Sequence, residues 1–298
     1  MTLPVGSRRW VTIARKRQML SSRHLAFLGA ILIGGSGPML EVIDKGSSTE
    51  SHPVPLLFVH GTWHAAWCWD EHFLDFFADK GYRAVALSLR GHGASSLSKP
   101  LKSCSIADYV DDVHAVVSKL SSPPVLIGHS VGGFIVQKYL ESHDAPAGVL
   151  LASTPPRGGR AGTLRALKRH PWLMVKASMT GDSLVPLRSP QLIREAFFSA
   201  GTPDADVLHC ASLLGPESVR LGLDVLTQKI RTERINTPLL VLGAACDNTT
   251  MVAEVEATAR GYDTPAQVFP DMGHDMMLEP GWQAVAERID GWLSGQGL

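Results

Sequence analysis

The chain has 298 residues, with 28 Lys and Arg against 28 Asp and Glu, so its formal net charge is zero. Hydrophobic residues make up 45% of the sequence, which excludes a disordered chain, because such a chain has few apolar residues and a high net charge. The balanced charge also excludes a protein that binds nucleic acid or an anionic membrane through a large net positive charge. We therefore expect a globular protein with one large domain.

The four cysteines, at positions 68, 104, 210 and 246, lie far apart in the chain. None belongs to a C-x-x-C pair or to a Cys/His cluster with the spacing of a zinc or iron–sulfur site. Four thiols in a chain of this length do not make a disulfide scaffold either. We therefore expect reduced and mostly buried cysteines, including Cys246 as a small buried side chain, and we expect no metal and no cofactor.

Residues 1–37 differ in character from the rest of the chain. Six Lys and Arg residues precede the first acidic residue, Glu41, and a short apolar stretch, LAFLGAILI, occupies residues 25–33. A basic segment followed by an apolar one is the order of a secretory signal. However, the pair Arg8 and Arg9 stands far from the apolar stretch, and no A-x-A cleavage site follows that stretch.

Two interpretations of residues 1–37 stay open. They form either a targeting or membrane-surface segment, or a loose extension before a domain that starts near Met39. The second interpretation is favoured, so we expect a cytoplasmic protein, with a cell-envelope or exported protein as the alternative. Membrane association is expected only through this segment, because no apolar run approaches the roughly 20 residues that a membrane-spanning helix needs.

From Met39 onward, short apolar runs alternate with stretches that have apolar residues at helical spacing. The runs that predict strands lie at residues 40–44, 55–60, 82–89, 125–128, 148–152, 238–243 and 266–269. The stretches that predict helices lie at residues 67–80, 106–120, 134–141 and 282–293. Strands that alternate with helices indicate βαβ units, so we expect an α/β fold with a parallel sheet.

The alternation stops between residues 155 and 228. Helical stretches separated by Gly and Pro turns occupy this region, without a strand run as strong as the earlier ones. The sequence therefore predicts a helical insertion into the α/β fold at residues 155–228.

The sequence GHSVGG at residues 128–133 follows an apolar strand and precedes a helix. In that context the G-x-S-x-G pattern is typical of a nucleophile elbow, a sharp turn that exposes a serine hydroxyl above the sheet. The helix that starts after Ser130 points its N–H groups toward the same place. An ordinary turn with a serine between glycines is the alternative, and the context disfavours it. We therefore predict that Ser130 is a nucleophile.

A serine nucleophile needs a base, and the base needs an acid to orient it. His274 follows the last predicted strand and precedes the last helix, which makes it the candidate base. Asp247 follows the strand at residues 238–243 by a short loop, and it is the candidate acid. Asp263, Asp271 and Asp275 are weaker candidates, because no strong strand run ends at them.

The sequence HGTWH at residues 60–64 stands at the end of another apolar strand. Hydrolysis through a tetrahedral intermediate needs two backbone N–H groups aimed at the oxyanion. The N–H groups of Thr62 and of Val131, the residue after the nucleophile, are the candidates.

Together, HG at residues 60–61, RGHGASS at 90–96, GHSVGG at 128–133, Asp247 and GH at 273–274 resemble the α/β-hydrolase superfamily. The resemblance implies an eight-stranded, mostly parallel sheet flanked by helices, with a helical cap after the sixth strand. The predicted insertion falls at that place, so residues 38–298 are expected to form one hydrolase domain.

The resemblance also implies a role for each candidate residue. Ser130 is the nucleophile, Asp247 the acid and His274 the base of a catalytic triad. Thr62 and Val131 supply the oxyanion hole.

Two longer stretches, WHAAWCW at residues 63–69 and HDMMLEP at 274–280, resemble the plant methyl-esterase and hydroxynitrile-lyase branch. The lyases carry a Thr after the first His and a Lys after the catalytic His. This chain has Gly61 and Asp275 at those positions, which argues against a lyase. Haloalkane dehalogenases and epoxide hydrolases use an Asp nucleophile, so Ser130 argues against both.

The leading hypothesis is a serine hydrolase that cleaves a carboxylic ester or thioester of a small to medium apolar substrate through an acyl-enzyme. The alternatives are a carbon–carbon hydrolase, a lyase or a cofactor-free perhydrolase with the same triad, and a non-catalytic ligand-binding module. The expected partner is a small-molecule ester and not a nucleic acid, and the oligomeric state stays open.

Residues beside the triad are candidates for the substrate pocket. Trp63 is adjacent to a predicted oxyanion donor, and His129 precedes the nucleophile. Large side chains of the insertion either line the site or pack the cap, namely Trp172, Met174, Met179, Phe197 and Phe198.

Overall fold

The computed structural model describes residues 30–33 and 37–298 of the chain. Within them, eight strands form one sheet in the order β1-β2-β4-β3-β5-β6-β7-β8. The strands are Ala30–Ile33 (β1), Leu40–Lys45 (β2), Leu56–Val59 (β3), Ala84–Leu87 (β4), Val125–His129 (β5), Gly148–Leu151 (β6), Leu239–Ala244 (β7) and Ala266–Phe269 (β8). Strand β2 is antiparallel to both of its neighbours, and the other pairs are parallel. The prediction of a mostly parallel eight-stranded sheet is confirmed.

Helices cover both faces of the sheet and fill the insertion. In the body they are Trp67–Asp70 (α1), Phe73–Asp79 (α2), Ile106–Val117 (α3), Val131–Leu140 (α4), Val252–Gly261 (α10) and Trp282–Gly295 (α11). In the insertion they are Arg160–Arg169 (α5), Pro171–Thr180 (α6), Pro190–Phe197 (α7), Asp204–Leu213 (α8) and Val219–Thr227 (α9). None of the helices in the described ranges is long and apolar enough to cross a membrane.

The central strands are buried on both faces, because each face packs on helices. In β3, Leu56 and Phe58 point into a core with α1, α2 and α11, while Leu57 and Val59 point into a second core with α3 and α4. Trp69 lies on the ring of Phe58 with centroids 5.1 Å apart. These two cores hold the strand ends, and hence the site, in fixed positions.

The structure places the start of the fold earlier than residue 38. Strand β1 pairs with β2 in antiparallel register, with Ile31 opposite Val42 and Ile33 opposite Leu40. The last four residues of the apolar stretch, Ala30–Ile33, therefore extend the edge of the sheet. The basic residues at positions 8–23 and the start of the apolar stretch, residues 25–29, lie outside the described residues.

The predicted helix at residues 67–80 is wrong as a single element. It is divided into α1 and α2, because the backbone of His72 leaves the helical region with φ −147°. The ring of His72 instead stacks on Trp282 of α11, with centroids 4.7 Å apart. Through this stacking contact, the short break between α1 and α2 packs on the last helix.

Helices α5 to α9 lie between β6 and β7, where the sequence predicts the helical insertion. Buried Glu279, which follows β8, attaches this cap to the body. Its carboxylate accepts hydrogen bonds from the hydroxyls of Ser199 at 2.9 Å and Thr202 at 2.7 Å. A carboxylate with several donors is a strong attachment, since charge-assisted hydrogen bonds exceed neutral ones in strength.

Candidate active site

Ser130 occupies the sharp turn between β5, which ends at His129, and α4, which begins at Val131. Its backbone has φ 53° and ψ −122°, a conformation that costs a non-glycine residue free energy of about 1–3 kcal/mol. The surrounding structure must hold this turn in place. Ser130 is only 5% exposed, beneath the cap.

Glycines give the turn the space it needs. A Cβ atom at Gly132 would lie 2.3 Å from the backbone oxygens of Val59 and His60. A Cβ atom at Gly128 would lie 2.6 Å from the carbonyl oxygen of Gly132. The elbow therefore packs directly on the end of β3, backbone against backbone.

We expect Gly132→Ala to destabilise the protein by at least about 2 kcal/mol, since the methyl group meets rigid backbone. Gly222→Ala in α9 is the matched control, because a Cβ there meets nothing within 4 Å. The control is expected to stabilise the protein by up to about 1 kcal/mol through helix propensity. Urea unfolding of both variants measures the difference, and equal midpoints would contradict the close packing at Gly132.

The structure brings Ser130, His274 and Asp247 into one chain of hydrogen bonds. Nε2 of His274 lies 2.9 Å from Oγ of Ser130, and Nδ1 lies 2.7 Å from Oδ2 of Asp247. The carboxylate cannot donate, so Nδ1–H donates to Asp247 and Nε2 accepts the serine proton. The other oxygen of Asp247 accepts the backbone N–H groups of Thr249 at 2.6 Å and Thr250 at 2.9 Å.

The environment of His274 sets its proton affinity. Burial disfavours the charged ring, but the carboxylates of Asp247 and Asp275 outweigh burial and raise the pKa of His274 above the ordinary 6.5. A base with a raised pKa holds the serine proton more firmly once it has taken it. The carboxylates also stabilise the imidazolium that forms during such a transfer.

The predicted oxyanion donors lie on the two segments that meet at the elbow. Val131 is the first residue of α4, so its N–H has no acceptor within the helix. Thr62 lies in the turn after β3, and β3 runs beside β5 with Val59 opposite Gly128. Their role as oxyanion donors stays a prediction.

Two residues of the turn after β3 have unusual surroundings. A Cβ at Gly61 would lie 2.9 Å from Cβ of Ser130, so only glycine fits there without a shift. Trp63 has a positive φ of 66°, and its indole N–H donates to the carbonyl of Ser183 at 3.1 Å. Its ring also lies 6.0 Å from that of Phe197. Trp63 thus joins the turn after β3 to the cap.

A second buried pair, His64 and Asp275, lies behind the triad. Nε2 of His64 is 3.0 Å from Oδ2 of Asp275, and Nδ1 is 2.8 Å from the carbonyl oxygen of Thr62. Burial alone would raise the pKa of the Asp275 carboxyl, but His64, His129 and His274 lower it below the ordinary 3.8. The sequence places Asp275 only among the weaker acid candidates, because no strong strand run ends at it. The sequence does not predict its contact with His64, since 211 positions separate the two residues.

His129 supports the loop that carries the base. Its Nε2 lies 3.0 Å from the carbonyl oxygen of His274, and it is 1% exposed. Burial and the nearby His274 lower the pKa of His129 to about 3, so its ring is neutral. The predicted pocket role of His129 stays a prediction, while its contacts give it a supporting one.

Gly273, next to the base, is held by the residue that attaches the cap. Its N–H donates to Oε1 of Glu279 at 2.8 Å. On the other side of the base, the N–H of Asp275 donates to the carbonyl of Phe197 at 2.9 Å. The loop of His274 therefore contacts the cap directly on one side of the ring, through Phe197, and through Glu279 on the other.

The structure separates the large side chains of the insertion into two groups. Phe197 and Phe198 are buried, and the ring of Phe197 lies 6.3 Å from that of His274. Trp172 and Met179 are each 82% exposed, so they neither line the site nor pack the cap. Cys246 is exposed beside Asp247, which corrects the expectation of a buried thiol there.

Among the residues that the structure describes, two sets of buried side chains have the atoms to hold a metal ion. They are His64 with Cys210 and Asp275, and His129 with His274 and Asp275. Both sets share Asp275. The three histidines in these sets already form the hydrogen bonds described above, with Asp275, with the carbonyl of His274 and with Asp247. Supporting hydrogen bonds explain these atoms without an ion, so we assign them no metal.

Comparison with known proteins gives a consistent result. The alpha/beta hydrolase family matches residues 56–288. The chain is 25% identical over 234 residues to monoacylglycerol lipase of Mycolicibacterium smegmatis, across 75% of this chain and 82% of that protein. It is 38% identical over 108 residues to a non-heme chloroperoxidase of Burkholderia pyrrocinia, but this match spans only 34% of the chain and 38% of the relative.

Among solved structures, an esterase from Exiguobacterium antarcticum is similar with a TM-score of 0.73 at 19% identity, across 90% of this chain and 100% of that chain. An identity this low shows a shared fold. The family match covers most of the chain, including the elbow and the loop of His274. The chain therefore belongs to the alpha/beta hydrolase family.

Proposed function

We propose that this protein is a serine hydrolase that cleaves carboxylic esters or thioesters of small to medium apolar substrates. The observation that carries the proposal is the hydrogen-bonded chain from Asp247 through His274 to Ser130 at a strained turn. A buried base within 2.9 Å of a serine hydroxyl is the arrangement that makes this weak nucleophile reactive.

In the proposed reaction, Oγ of Ser130 attacks the ester carbonyl while Nε2 of His274 takes its proton. The C=O bond becomes a C–O⁻ single bond, and the N–H groups of Thr62 and Val131 stabilise that charge. His274 then gives its proton to the leaving alcohol, and the acyl group remains on Ser130. Water repeats the two steps, which releases the carboxylic acid and restores the serine.

The apolar side chains near the base support an apolar substrate. Trp63 and Phe197 belong to a cluster that also contains Ile193 and Leu278. The ring of Phe197 lies almost parallel to that of His274, at 24°. An acyl or alcohol group that leaves water for such surroundings gains free energy in proportion to its apolar area. The similarity to an esterase and to a monoacylglycerol lipase agrees with an ester substrate.

The structure disfavours the lyase alternative at the two positions where the lyases carry Thr and Lys. Gly61 lacks the space for any side chain, because a Cβ would lie 2.9 Å from Cβ of Ser130 and 3.1 Å from Nδ1 of His129. Asp275 is a fully buried acid among histidines, where a lysine ammonium would face His64.

A cofactor-free perhydrolase is the second candidate. It is favoured by the similarity to a non-heme chloroperoxidase over 108 residues. The same acyl-enzyme serves both reactions, and hydrogen peroxide replaces water as the second nucleophile. A carbon–carbon hydrolase is a further alternative with the same triad. A non-catalytic binding module is disfavoured, because it has no need of a strained serine turn.

The proposal is tested with a series of p-nitrophenyl esters from acetate to decanoate, together with covalent labelling by a fluorophosphonate. We expect turnover with an optimum at short to medium acyl chains and labelling of Ser130. Labelling without ester turnover would transfer the proposal to a carbon–carbon hydrolase. Ester turnover that yields a peracid when hydrogen peroxide is added would favour the perhydrolase. Folded protein with neither labelling nor turnover would contradict the proposal.

A further inference from the structure

The outer side of the cap carries large apolar side chains that are exposed to solvent. Five of them, on two successive helices, are between 42% and 82% exposed, namely Leu164, Leu167, Trp172, Val175 and Met179. On α6 the exposed residues 172, 175 and 179 follow helical spacing, so they form one stripe. Exposed apolar side chains in a contiguous group mark an interaction surface.

Positive charge accompanies this stripe. Six Lys and Arg residues lie between residues 157 and 176, and no Asp or Glu lies between residues 145 and 181. Lys168 is one helical turn from Leu164, and Lys176 is one turn from Trp172, so exposed cations stand among the apolar side chains. Arg165 and Arg169 form ion pairs with Glu254 and Glu195, so Lys168 and Lys176 supply the positive charge beside the apolar side chains.

Helices α5 and α6 are attached to the walls of the candidate site. Arg165 of α5 donates to the carbonyl of Thr249 at 2.6 Å, two residues after Asp247. Ser183, which follows α6, accepts the indole N–H of Trp63 at 3.1 Å. The exposed sides of α5 and α6 therefore face away from the core above the site.

We propose that the exposed sides of α5 and α6 dock on an anionic lipid surface. Leu and Met side chains enter the acyl boundary, Trp172 lies at the headgroup level where indole rings concentrate, and Lys168 and Lys176 reach anionic headgroups. A second copy of the chain fits less well, because a symmetric contact would place cations against cations.

The test is flotation of the full chain with phosphatidylcholine vesicles that contain or lack about one third phosphatidylglycerol, at low and high salt. We expect binding only to the anionic vesicles and weaker binding at high salt. The double variants Trp172→Ser/Met179→Ser and Lys168→Glu/Lys176→Glu are each expected to bind at least about tenfold more weakly. Leu208→Ser and Lys119→Glu, at exposed sites outside α5 and α6, are the matched controls.

Turnover of a soluble short ester shows that the variants are folded, and it is expected to stay unchanged. Absence of vesicle binding, or variants that bind as tightly as the native chain, would overturn the proposal. The second result would place the lipid contact outside α5 and α6. A concentration-dependent dimer that the variants lose would also overturn the proposal and assign these helix faces to a second copy.

A separate observation concerns the buried pair behind the triad. Both ring nitrogens of His64 face acceptors, the carbonyl of Thr62 at 2.8 Å and the carboxylate of Asp275 at 3.0 Å. A carbonyl oxygen cannot donate, so Nδ1–H of His64 donates to Thr62, while Nε2 faces the Asp275 carboxylate and lies 4.0 Å from the sulfur of Cys210. The His64 ring therefore links a backbone carbonyl to a carboxylate, and both side chains are at most 2% exposed.

This pair joins the two loops that the proposed reaction needs. His64 contacts the carbonyl of Thr62, the predicted oxyanion donor. Asp275 is the chain neighbour of His274. We infer that His64 and Asp275 are positioning residues that fix the distance between the oxyanion turn and the base. The inference rests on the proposed hydrolase function.

The expected result for Asp275→Asn and for His64→Gln is a fall in kcat of about 10- to 100-fold with a KM within about threefold, because a small displacement of the base acts on the reaction and not on binding. The double variant is expected to lose no more than the worse single variant, since either change breaks the same link. Asp111→Asn, at an exposed acid on α3, is the control.

Additive losses in the double variant, or a loss confined to KM, would overturn the inference. Nitrogen NMR of the native protein is independent of the folding of the variants. It is expected to show a proton on Nδ1 of His64, the nitrogen that faces the carbonyl of Thr62, and an unprotonated Nδ1 would also overturn the inference. Native protein without esterase turnover would contradict the proposed function, while the NMR result would still stand.

Discussion

Replacement of Ser130 by alanine is expected to lower kcat for any ester by about a million-fold, close to complete loss of the triad. The reason is chemical, because the hydroxyl of Ser130 lies 2.9 Å from Nε2 of His274, and alanine has no hydroxyl to attack the carbonyl. Covalent labelling by a fluorophosphonate is expected to vanish in parallel. The measurement is initial-rate hydrolysis of the best p-nitrophenyl ester, with single-turnover controls.

Ser178→Ala is the matched control, since this serine lies exposed on α6 outside the site. It is expected to keep native turnover and native labelling. Thermal unfolding of Ser130→Ala is expected to match or exceed that of the native chain, because the hydroxyl contributes to chemistry more than to packing. Residual turnover within a hundredfold of native would show that another nucleophile acts.

Asp247→Asn is expected to lower kcat by about ten-thousand-fold while the protein stays folded. The carboxylate that accepts Nδ1–H of His274 at 2.7 Å becomes an amide, which can turn its NH₂ group toward the ring. The ring then holds its proton on Nε2, and this atom no longer accepts the proton of Ser130. Near-native turnover would show that the acid lies elsewhere.

The same variant has a defined effect on the pH profile. In the native chain His274 must be neutral to act as the base, and its pKa is raised above 6.5, so kcat/KM falls as the pH drops through that raised value. Removal of the Asp247 charge leaves burial, which lowers the pKa of His274, against the smaller opposing effect of Asp275, so the acidic limb is expected to move to lower pH. Asp271→Asn is the control, because Asp271 is exposed and Asn tolerates its φ of 55°.

The sheet, the cap and the placement of the candidate site could be predicted from the sequence because their patterns are local. The elbow at residues 128–133 combines a buried strand, a turn and a helix within a short stretch. Asp247 and His274 each follow a strand, and parallel strands bring their carboxyl ends to one edge of the sheet. Topology alone therefore brings the candidate residues near each other.

Other features depend on contacts that sequence does not display. The link of His64 to Asp275 joins residues 211 positions apart, and neither neighbourhood predicts the other. Strand β1 exists because the edge of β2 offers it backbone partners, a tertiary effect that its apolar composition does not distinguish from a targeting segment. The exposure of Trp172 likewise follows from how the cap packs, since a Trp at helical spacing is typical of a core.

The positive φ of Ser130 lowers the stability of the fold at the residue on which the proposed activity depends. Glycine adopts φ 53° without the steric penalty of a side chain, so the fold itself would prefer glycine where the nucleophile stands. Ser130→Gly is thus expected to melt at a higher temperature than the native chain although it is inactive. Selection for heat resistance alone would erase this serine, and only selection for reactivity retains it.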